Sequence, residues 1–233
     1  MTRLVCCLCL LVFSALTHAS ELTRITARFP SVPSPPQGSV QWIAKSMRMN
    51  GVPMTLQSLR SKLSPEAVLH YYESWSKQQS SAQSVRTRID REEALTIKVG
   101  DYLISIRAQR GASGTHGIIT SSLASLKGNN RVTTAFPAPS HLRLVNLQEY
   151  EDEAGEAEHL SFVSTRAPHV ETSALARSLE DAGWKLLHQR PMRETMRGYV
   201  IETQKGAQHA QLSILPSADL ALGARILIVW KKS

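Results

Sequence analysis

The stretch YLISIRAQRGASGTHGIITSS, Tyr102 to Ser122, decides how the chain is read. It reads as a strand, a Gly-rich turn at Gly111–Gly114 and a second strand. Further on, the chain reads GYVIETQKGAQHAQLSILPS, Gly198 to Ser217. Tyr102 matches Tyr199, Ile104 matches Ile201, and Arg110-Gly111-Ala112 matches Lys205-Gly206-Ala207. His116 then matches His209, with two residues deleted on either side of Gly206. Such self-similarity points to a duplicated module. It fixes a fold expectation and no function.

Working outward, the first copy opens with a strand from Val40 to Met49. Asn50-Gly51 and the alternating run Val52, Met54, Leu56 complete a hairpin, because both turn residues accept positive φ. Pro53 has no amide to give a ladder, so its nitrogen should face an edge. Ser64-Pro65-Glu66 opens a helix: the hydroxyl caps free amides, Pro suits the first helical position and Glu opposes the dipole. Val68, Tyr71, Tyr72 and Trp75 share its apolar face. Val85–Ile89, Leu95–Val99, Tyr102–Gln109 and His116–Ser122 read as strands.

The second copy repeats the order. Leu142–Gln148 and Leu160–Thr165 are strands around an acidic loop, Glu149–Glu158. Thr172 or Ser173 caps a helix with Ala174, Leu175, Leu179 and Ala182 inward, and Gly183 stops it. Trp184–Gln189, Gly198–Gln204, His209–Leu215 and Arg225–Trp230 complete the sheet. The expectation is an α+β fold of two tandem ββαβββ-like modules, each an antiparallel sheet with one helix packed on a face. The first module spans 40–127 and the second 141–233. A Gly-, Asn- and Pro-rich linker at 128–140 separates them, and a Pro-rich, polyproline-like leader at 20–39 serves as a spacer.

Residues 1–19 read as a secretory signal peptide: a cationic tip at Arg3, apolar residues from Leu4 to Leu16, then Thr17-His18-Ala19. That run is shorter than the about 20 residues an anchored transmembrane helix needs, and the mature chain is expected to carry none. Cys6, Cys7 and Cys9 are the three cysteines and all lie in this segment. A mature chain without thiols excludes disulfides, thiolate metal sites and Cys nucleophiles. Charge is uneven: Ser20–Ser140 holds 15 Lys/Arg against 7 Asp/Glu, and His141–Ser233 holds 11 against 12. The basic half admits a solvated surface or attraction to a polyanion such as lipid headgroups or glycan.

The mature histidines, His70, His116, His141, His159, His169, His188 and His209, form no HxH or HExxH spacing, so no metal site is expected. Gly111-Ala-Ser113-Gly lacks the last Gly of a nucleophile elbow and joins two strands. Ser74-Trp-Ser-Lys77 falls at a helix C-terminus, where the dipole opposes an oxyanion. The carboxylates of Glu149–Glu158 lack calcium-loop spacing, and no phosphate-cradling Gly loop appears. No catalytic, cofactor-binding or metal residue is therefore assigned, and no cofactor is expected.

These observations favour an exported, non-enzymatic protein, periplasmic or secreted after cleavage near Ala19, that binds another cell-envelope component, with an envelope protein as partner. One alternative is a binder of anionic lipid or glycan through the basic first module. Another is a hydrolase whose residues converge only in the fold. Nucleic acid is not an expected partner of an exported chain without nucleic-acid motifs.

Overall fold

The structure is a computed structural model that describes residues 29–80, 82–89, 92–124, 132–152, 155–192, 197–219 and 221–232. The expected signal peptide, the start of the expected leader and residues 128–131 of the expected linker lie outside the described residues. The chain is built mostly of strands. In order they are β1 (Gly38–Met49), β2 (Val52–Ser61), helix α1 (Pro65–Ser76), β3 (Gln83–Ile89), β4 (Glu92–Val99), β5 (Tyr102–Gly111) and β6 (Gly114–Leu123). The second half holds β7 (Arg143–Asp152), β8 (Gly155–Ser164), helix α2 (Pro168–Asp181), β9 (Lys185–Pro191), β10 (Tyr199–Lys205), β11 (Gln208–Pro216) and β12 (Ala224–Lys231).

The expected α+β fold of two tandem ββαβββ-like modules, each an antiparallel sheet with one helix on a face, is corrected. All strands join one 12-stranded antiparallel sheet in the order β3-β4-β5-β6-β2-β1-β7-β8-β12-β11-β10-β9, and four strands, not three, follow each helix. The join is the reason. Met47, Arg48 and Met49 of β1 pair with Tyr150, Glu149 and Gln148 of β7, so the ladder runs through the boundary between the halves. Asn50 extends the join, its amide donating to Leu147 O at 2.8 Å and its Oδ1 accepting from the Leu147 amide at 2.9 Å.

Each half of this sheet still has its own core. Val68, Leu69 and Tyr72 of α1 are buried against Leu95, Ile106 and Ile119, and Leu175 and Leu179 of α2 against Leu160, Ile201 and Ile226. Both helices lie on one face. Cross-strand partners share a face, and Leu59 beneath α1 alternates along β2 to Pro53, whose row continues through Arg48, Glu149 and Glu158; Glu158 alternates in turn to Leu160 beneath α2. The opposite face carries neither helix.

Local signals place these elements. Asn50 and Gly51 take φ of 51° and 78°, the pair of positive values the tight hairpin requires. In such a hairpin the flanking Met49–Val52 pair exchanges hydrogen bonds, so Pro53 turns its nitrogen away from β1. The β6 ladder begins only at Met54, so the missing amide leaves no bond unmade. The Ser64 hydroxyl accepts from the Ala67 amide at 3.3 Å and caps α1. The buried face of α1 is rotated from the expected one towards Leu69, leaving Tyr71 and Trp75 half-buried. Helix α2 starts earlier than expected, at Pro168 after Ala167; Thr172 lies inside it and donates back to Pro168 O at 2.8 Å. The acidic loop is a hairpin instead: Glu149 and Glu151 on β7 face Glu158 and Glu156 on β8.

The leader is more than a spacer over its described residues. Val32 is buried in the first core, and Tyr72 and Tyr71 donate their hydroxyls to Pro33 O and Ser34 O at 2.9 and 3.1 Å. Residues 132–140 of the expected linker do the same in the second half. Phe136 is buried against Trp184 and Trp230, and Ser178 donates to Pro137 O at 3.0 Å. The Gly38 amide bonds Pro35 O and the Leu142 amide bonds Pro139 O, at 3.1 and 3.0 Å. Val32-Pro33-x-Pro35 and Phe136-Pro137-x-Pro139 are thus equivalent straps, each leading into the first strand of its half.

Candidate docking edge

The residues singled out in the sequence do not converge. His116 on β6 sits between Arg60 of β2 and Gln109 of β5, close enough to Gly111 that a Cβ there would lie 2.7 Å from its Nδ1. With Gln37–Ser39, Arg60, Lys62 and the Gly111–Thr115 turn, including Ser113, it lines an open groove of about 640 Å³ that no Asp or Glu borders among the described residues. His209 is in the other half, on β11 between Gln204 and Lys231. Their match in sequence is also one strand out of phase: by sheet order β5 and β6 correspond to β11 and β12, not to β10 and β11. Consecutive hairpins of a meander resemble one another, which permits the slip. Ser74 is exposed and Lys77 is the C-cap of α1. Among the described residues no three His, Cys, Asp or Glu gather to hold a metal ion.

A cluster that the sequence did not reveal joins His141, Ser164 and Glu171. Glu171, 0 % exposed in the first turn of α2, accepts from Ser164 Oγ at 2.6 Å and lies 2.8 Å from His141 Nε2. Ser164 also accepts the Arg166 amide at 3.0 Å. This is not a nucleophile arrangement. A serine is activated by a base on its own hydroxyl, whereas here Ser and His occupy opposite oxygens of one carboxylate. The cluster ties the strap and the end of β8 to α2.

Charge concentrates at the seam on the helix-bearing face. Glu149 and Glu158 are cross-strand partners, with Arg48 beside Glu149, and Lys232 and Thr134 both engage Glu158. Burial, then the Glu158 charge, push the Glu149 carboxyl above its ordinary range. On the other face His159 stacks against Tyr150, and burial lowers its imidazole and raises the Tyr150 phenol.

The inner edge of β1 also has no strand partner among the described residues over most of its length. Two register slips against β2, between Trp42 and Ala44 and between Ala44 and Met47, bulge β1, and its pairing with β7 stops at Met47. Beyond the three pairs at Met47–Met49, no described strand borders Gly38–Ser46 on that side. Trp42 and Ile43 are 49 % and 55 % exposed there. The phase of the ladder shows which backbone groups are free. The Lys62 amide donates to Gln37 O at 3.0 Å, so in antiparallel alternation Ser39 and Gln41 bond to β2 while Val40 and Trp42 point outward.

The outer edges differ. β3 carries Arg86 and Arg88, and β9 carries Lys185, His188, Arg190 and Pro191; charge and proline are the usual guards against strand addition. Between Gly38 and Ala44 the β1 edge has neither. Sequence alone could not single it out, because an edge is a property of strand order. No helix among the described residues is long and apolar enough to cross a membrane. Comparison of the chain with protein-family models, with curated proteins and with solved structures returns no match.

Proposed function

We propose that the chain is an exported, non-enzymatic accessory protein of the cell envelope, working in the periplasm or outside the cell, which binds an envelope protein by strand addition to β1. The observation that carries this reading is the outward row of Val40 and Trp42 backbone groups, flanked by exposed Trp42 and Ile43 side chains. Main-chain bonds of this kind supply affinity, and alternate side chains supply choice of partner. The test is capture from the envelope fraction by the mature chain after crosslinking, compared with Trp42→Pro. That substitution removes an outward amide and no bond to β2. A discrete envelope protein should be retained by the parent and lost by the variant; equal retention would refute the reading.

A second reading has one observation in its favour. The groove at the Gly38 end gathers Arg60, Lys62 and His116 without an acidic residue, which suits an anionic headgroup or glycan. Two other cations of the first half are paired, Arg86 with Glu66 and Glu73 and Arg107 with Glu92. Vesicle and glycan binding that falls on Arg60→Ala/Lys62→Ala and is untouched by Trp42→Pro would favour it.

A further inference from the structure

The two ends of the free β1 edge carry opposite charge, and that polarity says what kind of strand fits. At the Gly38 end lies the groove of Arg60, Lys62 and His116. Arg60 is the direct register partner of Ser39, one strand in from the edge. An added strand would lie ~4.8 Å beyond β1, which leaves its end within reach of a long side chain on β2. No carboxylate among the described residues pairs with Arg60 or Lys62. At the other end, beyond Ser46, stands the tip of the β7–β8 hairpin. Glu149, Glu151, Glu156 and Glu158 there outnumber Arg48 and Lys232, and exposed Lys45 of β1 beside them reduces the acidic excess without reversing it.

We infer that the β1 edge receives the extended C-terminal tail of a partner protein, added antiparallel to Gly38–Trp42, with its terminal carboxylate held at Arg60 and Lys62. The inference rests on the strand-addition reading above and adds the identity of the occupant. Orientation follows from charge. An antiparallel strand ends at Gly38, so its carboxylate meets the cations, and basic residues upstream in the tail meet the acidic hairpin. A parallel strand would bring its carboxyl end to the carboxylates instead. The main-chain register is short: Val40 and Trp42 supply the outward donors and acceptors, so a tail of about five residues saturates them. Such short pairing gains from a charge-assisted anchor at one end. Exposed Trp42 and bulged Ile43 flank the upstream end of the paired tail and offer apolar contacts to its side chains.

The experiment is selection of the mature chain against two displayed libraries of random octapeptides, one with a free C-terminal carboxylate and one embedded within a loop. Enriched peptides are then synthesised as acid and as amide and titrated by fluorescence anisotropy. The expected result is enrichment from the free-carboxylate library alone. Affinity should fall at least tenfold on amidation, on Arg60→Ala/Lys62→Ala and on Trp42→Pro, and weaken with salt. Peptides that need the Trp42 amide but ignore amidation and the Arg60/Lys62 change would overturn the carboxylate anchor and leave strand addition standing. Peptides that bind Trp42→Pro as well as the parent would overturn both. A dimer of the chain in sedimentation equilibrium, abolished by Trp42→Pro, would assign the edge to a second copy and refute the inference. Failure of both libraries to enrich would refute it too.

Discussion

In the first half of the sheet, Val68 closes the first turn of α1 against the core and Ser61, at the end of β2, donates to Pro36 O of the strap at 3.1 Å. In the second half the equivalent positions are Glu171 and Ser164, and the strap residue turned toward them is His141. The frame is shared, down to the backbone amide two residues on that bonds each serine, Leu63 to Ser61 and Arg166 to Ser164. One half closes with an apolar contact and the other with a buried carboxylate that needs donors. The inner edges differ in the same way. The described part of β7 before the seam, Arg143–Asn146, carries a charge and leads directly into the Asn50 cap, whereas β1 runs on uncapped from Ser46 back to Gly38. A repeated frame therefore fixes the shape of both halves and leaves the positions at the seam free to diverge. The open edge of β1 is one of those positions.

The straps should give the largest effect. Phe136→Ala removes a ring packed between Trp184 and Trp230 and should cost about 3–5 kcal/mol in urea unfolding. Val32→Ala, the equivalent truncation, deletes two methyl groups and should cost roughly 1–2 kcal/mol. Equal losses would break the ordering of the two cores. Next is the buried carboxylate. His141→Ala leaves Glu171 short of a donor and should cost about 1–3 kcal/mol. Adding Glu171→Val, the residue type of the first half, should restore most of that loss in a double-mutant cycle.

A smaller effect is expected at the seam. Because burial and Glu158 raise the folded value of Glu149, the unfolded chain gives up that proton at lower pH. Its contribution to stability is complete below the unfolded carboxylate range and is lost as pH rises through the folded value. Glu149→Gln should thus stabilise the chain near neutral pH by on the order of 0.5 kcal/mol, the scale of a like-charge cross-strand pair. The gain should vanish below pH ~4. His159, lowered by burial, acts in the opposite sense, its contribution being present above its unfolded value and lost as pH falls. Smallest of all is Trp42→Pro. Its amide bonds nothing in the described sheet, so unfolding should shift by less than about 0.5 kcal/mol.

The local elements were legible in the sequence because each signal is short-ranged. Asn50-Gly51, Ser64-Pro65-Glu66 and the Gly-rich turn inside Tyr102–Ser122 mark a turn, a helix start and a strand pair. Strand order was not legible, since a three-residue ladder at Met47–Met49 leaves no periodicity behind. The acidic run concealed a hairpin because like charges face each other across it, against the usual pairing preference. The repeat was detected at hairpins that are not equivalent. The equivalent marks are sparse: Val32-Pro-x-Pro35 with Phe136-Pro-x-Pro139, and Ser61-x-x-x-Pro65 with Ser164-x-x-x-Pro168. Of the docking edge, only the strand itself could be read; its exposure and phase depend on bulges and neighbours far away in sequence.

The claim that β1 is an open, phased edge can be tested directly by residue-resolved amide exchange, followed by NMR on the free mature chain. Two sets of amides a single residue apart should separate: Ser39 and Gln41, bonded to β2, should be protected, while Val40 and Trp42 should exchange at rates near those of solvated backbone. Uniform protection from Gly38 to Trp42 would contradict it, because the edge would then already be covered.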